Sequence, residues 1–223
     1  MKFFGLSLMS PSALMGALVY YDAPAPPNIG GGDTVGTSTV GAVTVTTELI
    51  QGSWTERTGT ATGPSVKSFG ANILQGNRVG TAAPYTPAVM TLTLSGLESD
   101  ATYGSVRIYY IGKEGGAEDW NIAYSFPGGA GSIVDHEGVA VDNSNGGVGV
   151  AVAPSGDVRY YHEVANFMTD GSGEVTFTLS QALADTNQRI AIDGIGFESV
   201  PVPEPGLTGL LLAACGLSLR RRR

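Results

Sequence analysis

Arg189-Ile190-Ala191-Ile192-Asp193-Gly194-Ile195-Gly196-Phe197-Glu198 is the stretch on which the fold turns. Its apolar residues alternate, first Ile190 and Ile192, then Ile195 and Phe197, and the parity switches across Gly194. Successive side chains on a strand point to opposite faces, so period two with one slip predicts a strand carrying a bulge. The same period recurs upstream. Leu92 and Leu94 alternate with Thr91 and Thr93, while Val175, Phe177 and Leu179 alternate with Thr176, Thr178 and Ser180. One apolar face and one hydroxyl-bearing face describe a half-buried antiparallel strand.

Working outward, similar runs bounded by turn residues are expected at 40–50, 66–74, 89–95, 103–111, 120–126, 132–141, 148–152, 158–168 and 174–180. Asp22 to Thr39, with Pro24-Ala-Pro-Pro27 and Gly30-Gly-Gly32, reads as a loop, and Ala182 to Thr186 as a single helical turn. No stretch between the ends holds a helical period. Many short strands with 33 glycines therefore point to an all-β fold, an antiparallel β-sandwich of jelly-roll type. The division expected is 1–17 as a signal peptide, 18–39 as an N-terminal strand and loop, 40–200 as the sandwich, and 201–223 as a tail. In the first segment Lys2 precedes an apolar run ending in Ala13-Leu-Met-Gly-Ala17. Cleavage there would leave Leu18-Val-Tyr-Tyr as a strand start. The alternative is a buried first strand or helix.

Charge narrows the function. Of the 12 Lys and Arg, five are Lys2 and Arg220–Arg223; setting these aside leaves 7 basic against 20 acidic residues, near −13. Nucleic-acid binding and adhesion to anionic lipid both need clustered cations, which this composition lacks. The one cysteine, Cys215, lies in the tail, so the rest of the chain has neither a disulfide nor thiol chemistry.

The tail has three ordered blocks. Val202, Pro203, Glu204 and Pro205 form a stiff segment, because proline fixes φ and lacks a donor. Gly206 to Leu219 carries no charge, and Arg220, Arg221, Arg222 and Arg223 close the chain. As a helix the apolar block spans ~21 Å, short of the ~30 Å hydrocarbon core. The arginines would stay on the cytoplasmic side during export. Order and spacing resemble the PEP-CTERM sorting signal of exported Gram-negative proteins. The likeness covers about a tenth of the chain. It implies Sec export, transient retention in the inner membrane, and release or re-anchoring by a membrane transpeptidase, the exosortase. The destination it implies is the outer surface or an exopolysaccharide matrix. An ordinary C-terminal membrane anchor is the alternative.

The closing Ile-Asp-Gly-Ile-x-Phe also resembles the last strand of galactose-binding-like and carbohydrate-binding jelly rolls. Jelly rolls of that type often hold a structural Ca2+, and Asp193 is a candidate ligand by its place in the closing strand. Asp142 is another, because Asp142-Asn-Ser-Asn-Gly146 resembles the start of an EF-hand loop, with its glycine one position early and no Glu at the required distance. Turn chemistry accounts for Asp142 equally well. No other cofactor is expected.

Catalysis has few materials. The histidines are His136, between Asp135 and Glu137, and His162, which shares parity with Val158, Tyr160 and Val164 and is expected to face the core. Glycosidase chemistry needs two carboxyl groups facing across a cleft. Glu118, Asp119, Glu137 and Glu163 qualify by type alone, which leaves a secreted carbohydrate-active enzyme as the contrasting reading. The better hint is aromatic. Parity sends Arg107 and Tyr109 outward on one strand, and Arg159, Tyr161 and Glu163 outward on another. With Trp120 these residues suit a sugar-stacking face, though outward tyrosines are also ordinary cross-strand partners. The expectation is a non-enzymatic structural or adhesive surface protein, with polysaccharide as its candidate partner.

Overall fold

A computed structural model describes residues 17–58, 72–80, 85–110, 122–133, 148–152, 158–164, 166–181 and 189–199. The described residues are all-β apart from one 3-10 turn at Ile29–Gly31. Among them no helix is long and apolar enough to cross a membrane.

Among the described residues fifteen strands occur: β1 Leu18–Asp22, β2 Val35–Val40, β3 Val43–Gln51, β4 Ser53–Thr58, β5 Asn72–Asn77, β6 Val89–Ser95, β7 Thr102–Tyr103, β8 Arg107–Tyr110, β9 Ile122–Phe126, β10 Gly129–Ile133, β11 Val148–Val152, β12 Val158–Glu163, β13 Phe167–Met168, β14 Val175–Gln181 and β15 Arg189–Glu198. One sheet runs β11-β12-β8-β15-β5-β4, with β1 also on β15; the other runs β10-β9-β14-β6-β3-β2. The two pack face to face as an antiparallel β-sandwich. Met90, Leu92, Leu94, Val175, Phe177 and Leu179 from the second sheet share one core with Ile108, Tyr110, Ile190, Ile192, Ile195 and Phe197 from the first. Apolar area taken from water at ~25 cal/mol/Å2 is the main force holding them together.

The predicted slip in β15 is present. Its register against β8 shifts between Ile192 and Gly194, so Ile190 and Ile192 before the slip, and Ile195 and Phe197 after it, all face the core. The bulge also changes the partner on the opposite edge. Arg189–Ile192 pairs with β5, and Gly194–Glu198 pairs with β1. Asp193 sits at the changeover, and its carbonyl oxygen accepts the Ala23 N–H at 3.0 Å. The chain then crosses to the other sheet, where Thr47 Oγ1 donates to the Pro24 carbonyl.

Several boundaries depart from the sequence reading. Residues 35–39, expected as loop, belong to β2, and the run expected at 40–50 is divided by a turn at Gly41, whose φ is +64°, between β2 and β3. β2 escapes the period-two test because it lies at a sheet edge, where half-burial no longer demands apolar alternation. Ser53–Thr58 is likewise a strand. The run 103–111 is interrupted by Ser105 at φ +52°, and 158–168 divides into β12 and β13, the latter pairing with β7 in a small separate sheet. A turn at Pro127-Gly128 places β10 at Gly129–Ile133, earlier than expected. Residues 134–141 and 182–186 lie outside the described residues.

The outer face of the six-stranded sheet carries aligned threonines. Thr37 pairs with Thr46, Thr46 with Thr93, and Thr93 with Thr176. Two cross-strand hydroxyl pairs are within bonding distance, Thr93 with Thr176 at 2.9 Å and Thr39 with Thr44 at 3.2 Å. Such pairs contribute to sheet stability strand by strand.

Candidate functional site

The outer face of the seven-stranded sheet gathers the candidate residues, and two glycines make room for them. Along one row Asp22 pairs with Gly194, Gly194 with Tyr109, and Tyr109 with Tyr161. Along the next, Tyr20 pairs with Gly196, Gly196 with Arg107, and Arg107 with Glu163. With no side chain on β15 at these two positions, the rings of the flanking strands lean across it. A Cβ on Gly194 would come within 2.8 Å of the Tyr20 ring, and one on Gly196 within 2.9 Å of the Tyr109 ring. Tyr20 and Tyr109 meet edge to face at 5.2 Å between centroids, and Tyr109 and Tyr161 follow at 5.9 Å.

Polar groups fill both ends of this row. The Tyr20 hydroxyl lies 2.9 Å from the Asp193 carbonyl oxygen and 3.1 Å from Asp22 Oδ1. Both are acceptors, so one proton serves two oxygens. Burial, then the charges of Asp193 and Asp22, push the Tyr20 phenol far above its ordinary pKa. At the other end Arg107 Nη2 and Nε lie 3.1 and 3.2 Å from Glu163 Oε1, and the guanidinium sits 4.2 Å from the Tyr161 ring centre. The ion pair is largely exposed and contributes ~0–1 kcal/mol; the cation–ring contact adds about as much.

Arg107, Tyr109, Tyr161 and Glu163 thus come together as parity predicts. The expectation that Tyr109 is open to solvent is corrected, since it is only 3 % exposed, packed between Tyr20 and Tyr161 beside Gly196. Parity assigns a face; it cannot report what lies over that face. Accessible stacking surface therefore falls to Tyr161, which is half-buried and has Arg107 over its ring. Arg159 stands in β12 opposite Ala151, with its side chain outside the described residues. Trp120, Asp142, His136, Glu118, Asp119, Glu137 and the tail residues Val202–Gly206 and Arg220–Arg223 also lie outside them. Tyr20 and Asp22 were missed. The signal that could have found them is the glycine pair in β15, which calls for large rings on neighbouring strands.

Asp193 is fully buried. Among the described residues no three His, Cys, Asp or Glu side chains group to hold a metal. The Tyr20 hydroxyl reaches the Asp193 backbone carbonyl and Asp22 Oδ1, which ties the buried aspartate's main chain to β1. His162 is half-buried, its Nε2 3.3 Å from the Tyr124 hydroxyl of the opposing sheet, in keeping with the packing role expected. Glu163 is held by Arg107. An open concavity of about 570 Å3 lies elsewhere, between the Pro127-Gly128 turn, β13 and the 169–175 loop. Its rim carboxylate Asp170 accepts from Ser172 N–H, Ser172 Oγ–H and Glu174 N–H, bonds that hold it below the usual carboxylate range and tie it to the turn.

Comparison with known proteins yields no matching family model and no matching curated protein.

The raised Tyr20 pKa fixes a pH dependence. A folded-state pKa above the unfolded value of about 10 means stability is fully present below pH ~10 and falls above it. The unfolded chain then loses a proton that folded Tyr20 keeps. Its share of the slope is ~1.4 kcal/mol per pH unit. Tyr21, Tyr103, Tyr109 and Tyr124, also raised by burial, add to the same fall. Urea unfolding between pH 9 and 11 is expected to show a shallower decline for Tyr20→Phe; an identical slope would contradict the assignment.

Proposed function

We propose that this chain is an exported, C-terminally sorted protein of a bacterial cell surface or exopolysaccharide matrix, without catalytic activity. Its partners on this reading are the Sec machinery and an exosortase-type transpeptidase, with transient inner-membrane contact through the tail. The sequence blocks Val202–Pro205, Gly206–Leu219 and Arg220–Arg223 motivate it. One geometric observation carries it further. The Ser199 N–H donates to the Ala17 carbonyl at 3.2 Å, and Leu18 pairs with Glu198. The chain enters β1 and leaves β15 at one corner. Both ends of the described fold therefore leave from one corner, which suits a domain released from one membrane surface through its tail. Successive strands also pass repeatedly between sheets, β3 to β4, β5 to β6 and β14 to β15, which supports the jelly-roll type.

Fractionation of the native host with mass spectrometry of the protein's C-terminus tests the sorting claim. Exported protein lacking Arg220–Arg223 is expected; exported protein with the arginines intact overturns it. Polysaccharide binding is the second part of the proposal, supported by Tyr161 lying beside Arg107 and Glu163 at the surface. Tyr161→Ala is expected to cut retention on a glycan array at least tenfold, the loss of ~1.4 kcal/mol that one stacking contact supplies. Unchanged retention removes the face as a binding site.

A further inference from the structure

We propose that two copies of this chain join edge to edge through β2, Val35–Val40, with Thr37 opposite Thr37 about a two-fold axis. Among the described strands β2 ends its sheet, paired to β3 on one side only. The direction of its backbone groups follows from one bond. Leu49 N–H donates to the Thr34 carbonyl at 2.8 Å, so Thr34 turns toward β3. In an antiparallel ladder residues alternate between turning both groups toward a partner and turning both away. Gly36, Ser38 and Val40 therefore follow Thr34, and Val35, Thr37 and Thr39 turn their N–H and C=O groups to the outer edge.

Natural sheet edges are usually guarded by lysine, proline or a bulge. Here β2 has none of these. Thr34 to Thr47 carries no charge in a chain whose net charge is −8. Val35 and Val40 are 47 % and 46 % exposed, and Thr37 and Thr39 are exposed as well. An uncharged edge is the place where two acidic molecules approach at least electrostatic cost.

Self-pairing also satisfies the register. Opposed residues must share a face, which allows Thr37 against Thr37 with Val35 against Thr39 on both sides. Each of these residues turns its hydrogen-bonding groups outward, so donors meet acceptors. The threonine row Thr176–Thr93–Thr46–Thr37 then continues into the second copy. The contact is isologous and closes at two subunits. An edge this short is a small interface, so the dimer is expected to be weak and concentration-dependent. The inference does not depend on the sorting reading.

Sedimentation velocity of the full chain in mild detergent, across a wide concentration range, tests it. The wild type is expected to pass reversibly from monomer to dimer. Thr37→Pro removes an outward N–H without touching the β3 ladder and is expected to stay monomeric with an unchanged circular dichroism spectrum. A Thr37→Lys, Thr39→Lys double variant, which cannot fail for proline's reasons, is expected to do the same. Both variants keep the tail, so a dimer that persists in the lysine variant overturns the proposal. So does a wild type that stays monomeric throughout, grows into open-ended oligomers, or associates only on addition of an unrelated extended peptide.

Discussion

Phe197→Ala is expected to cost ~3–5 kcal/mol, the range for removing a large aromatic side chain from a packed core. Phe197 has no solvent exposure. Its ring stacks on Tyr21 of β1 at 4.9 Å and meets Tyr103 of β7 and Phe167 of β13 edge to face at 5.5 and 5.3 Å. Phe167 in turn contacts Phe177 of the other sheet at 5.7 Å. One side chain therefore links the first strand, the small β7–β13 sheet and, through Phe167, both main sheets. A cavity there cannot be refilled by one neighbour, because each ring is already held by another ring. With total stability on the order of 5–15 kcal/mol, the loss is a large share of the whole. The melting temperature is expected to fall by about 10 °C. Urea unfolding supplies the measurement, and a loss below ~1 kcal/mol would mean that these rings do not form a connected core.

The position of Phe197 was legible before any coordinates, and the reason is local. A bulge shifts parity within a few residues, so Ile192, Gly194 and Ile195 carry the signal in their own order. The alternation of Leu92 and Leu94 with threonines, and of Val175, Phe177 and Leu179 with threonines and serine, is local in the same way. What could not be read depends on chain segments far apart. Tyr20 and Asp193 are 173 residues apart and meet only because β1 joins the half of β15 beyond the bulge. The burial of Tyr109 arises from Tyr20 across the same pairing. Ser105 separates β7 from β8 by adopting a positive φ, and Gly104-Ser105 was a turn signal too short to outweigh the apolar alternation around it. β2 and β4 were hidden because neither presents an apolar stripe; Val35-Gly-Thr-Ser-Thr-Val40 and Ser53-Trp-Thr-Glu-Arg-Thr58 are recognisable only from their partners.

Gly194→Ala is expected to cost about 3 kcal/mol, at the upper end for inserting one methyl group into a filled site. The new Cβ would press on the Tyr21 carbonyl oxygen and lie 2.8 Å from both the Tyr20 ring and its hydroxyl. The first of these is backbone, which cannot swing aside, so β1 itself must move. Moving it weakens the Tyr20 bond to the Asp193 carbonyl, the edge contact with Tyr109 and the pairing of Leu18–Asp22 with Gly194–Glu198. Gly196→Ala provides the contrast. There the nearest atoms belong to the outer end of the Tyr109 ring, at 2.9 and 3.3 Å, and a side chain can rotate away, for an expected cost of ~1 kcal/mol. Hydrogen exchange separates local release from general loosening. In Gly194→Ala the amides of Leu18–Asp22 are expected to lose protection while those of β6 and β14 keep theirs; unchanged protection in β1 would show that this gap does not hold the strand. The consequence reaches the proposed function. Freeing β1 parts Ala17 from Ser199, so if export and tail processing need the two ends at one corner, this variant should accumulate with its C-terminal arginines uncut, whereas Gly196→Ala should be processed normally.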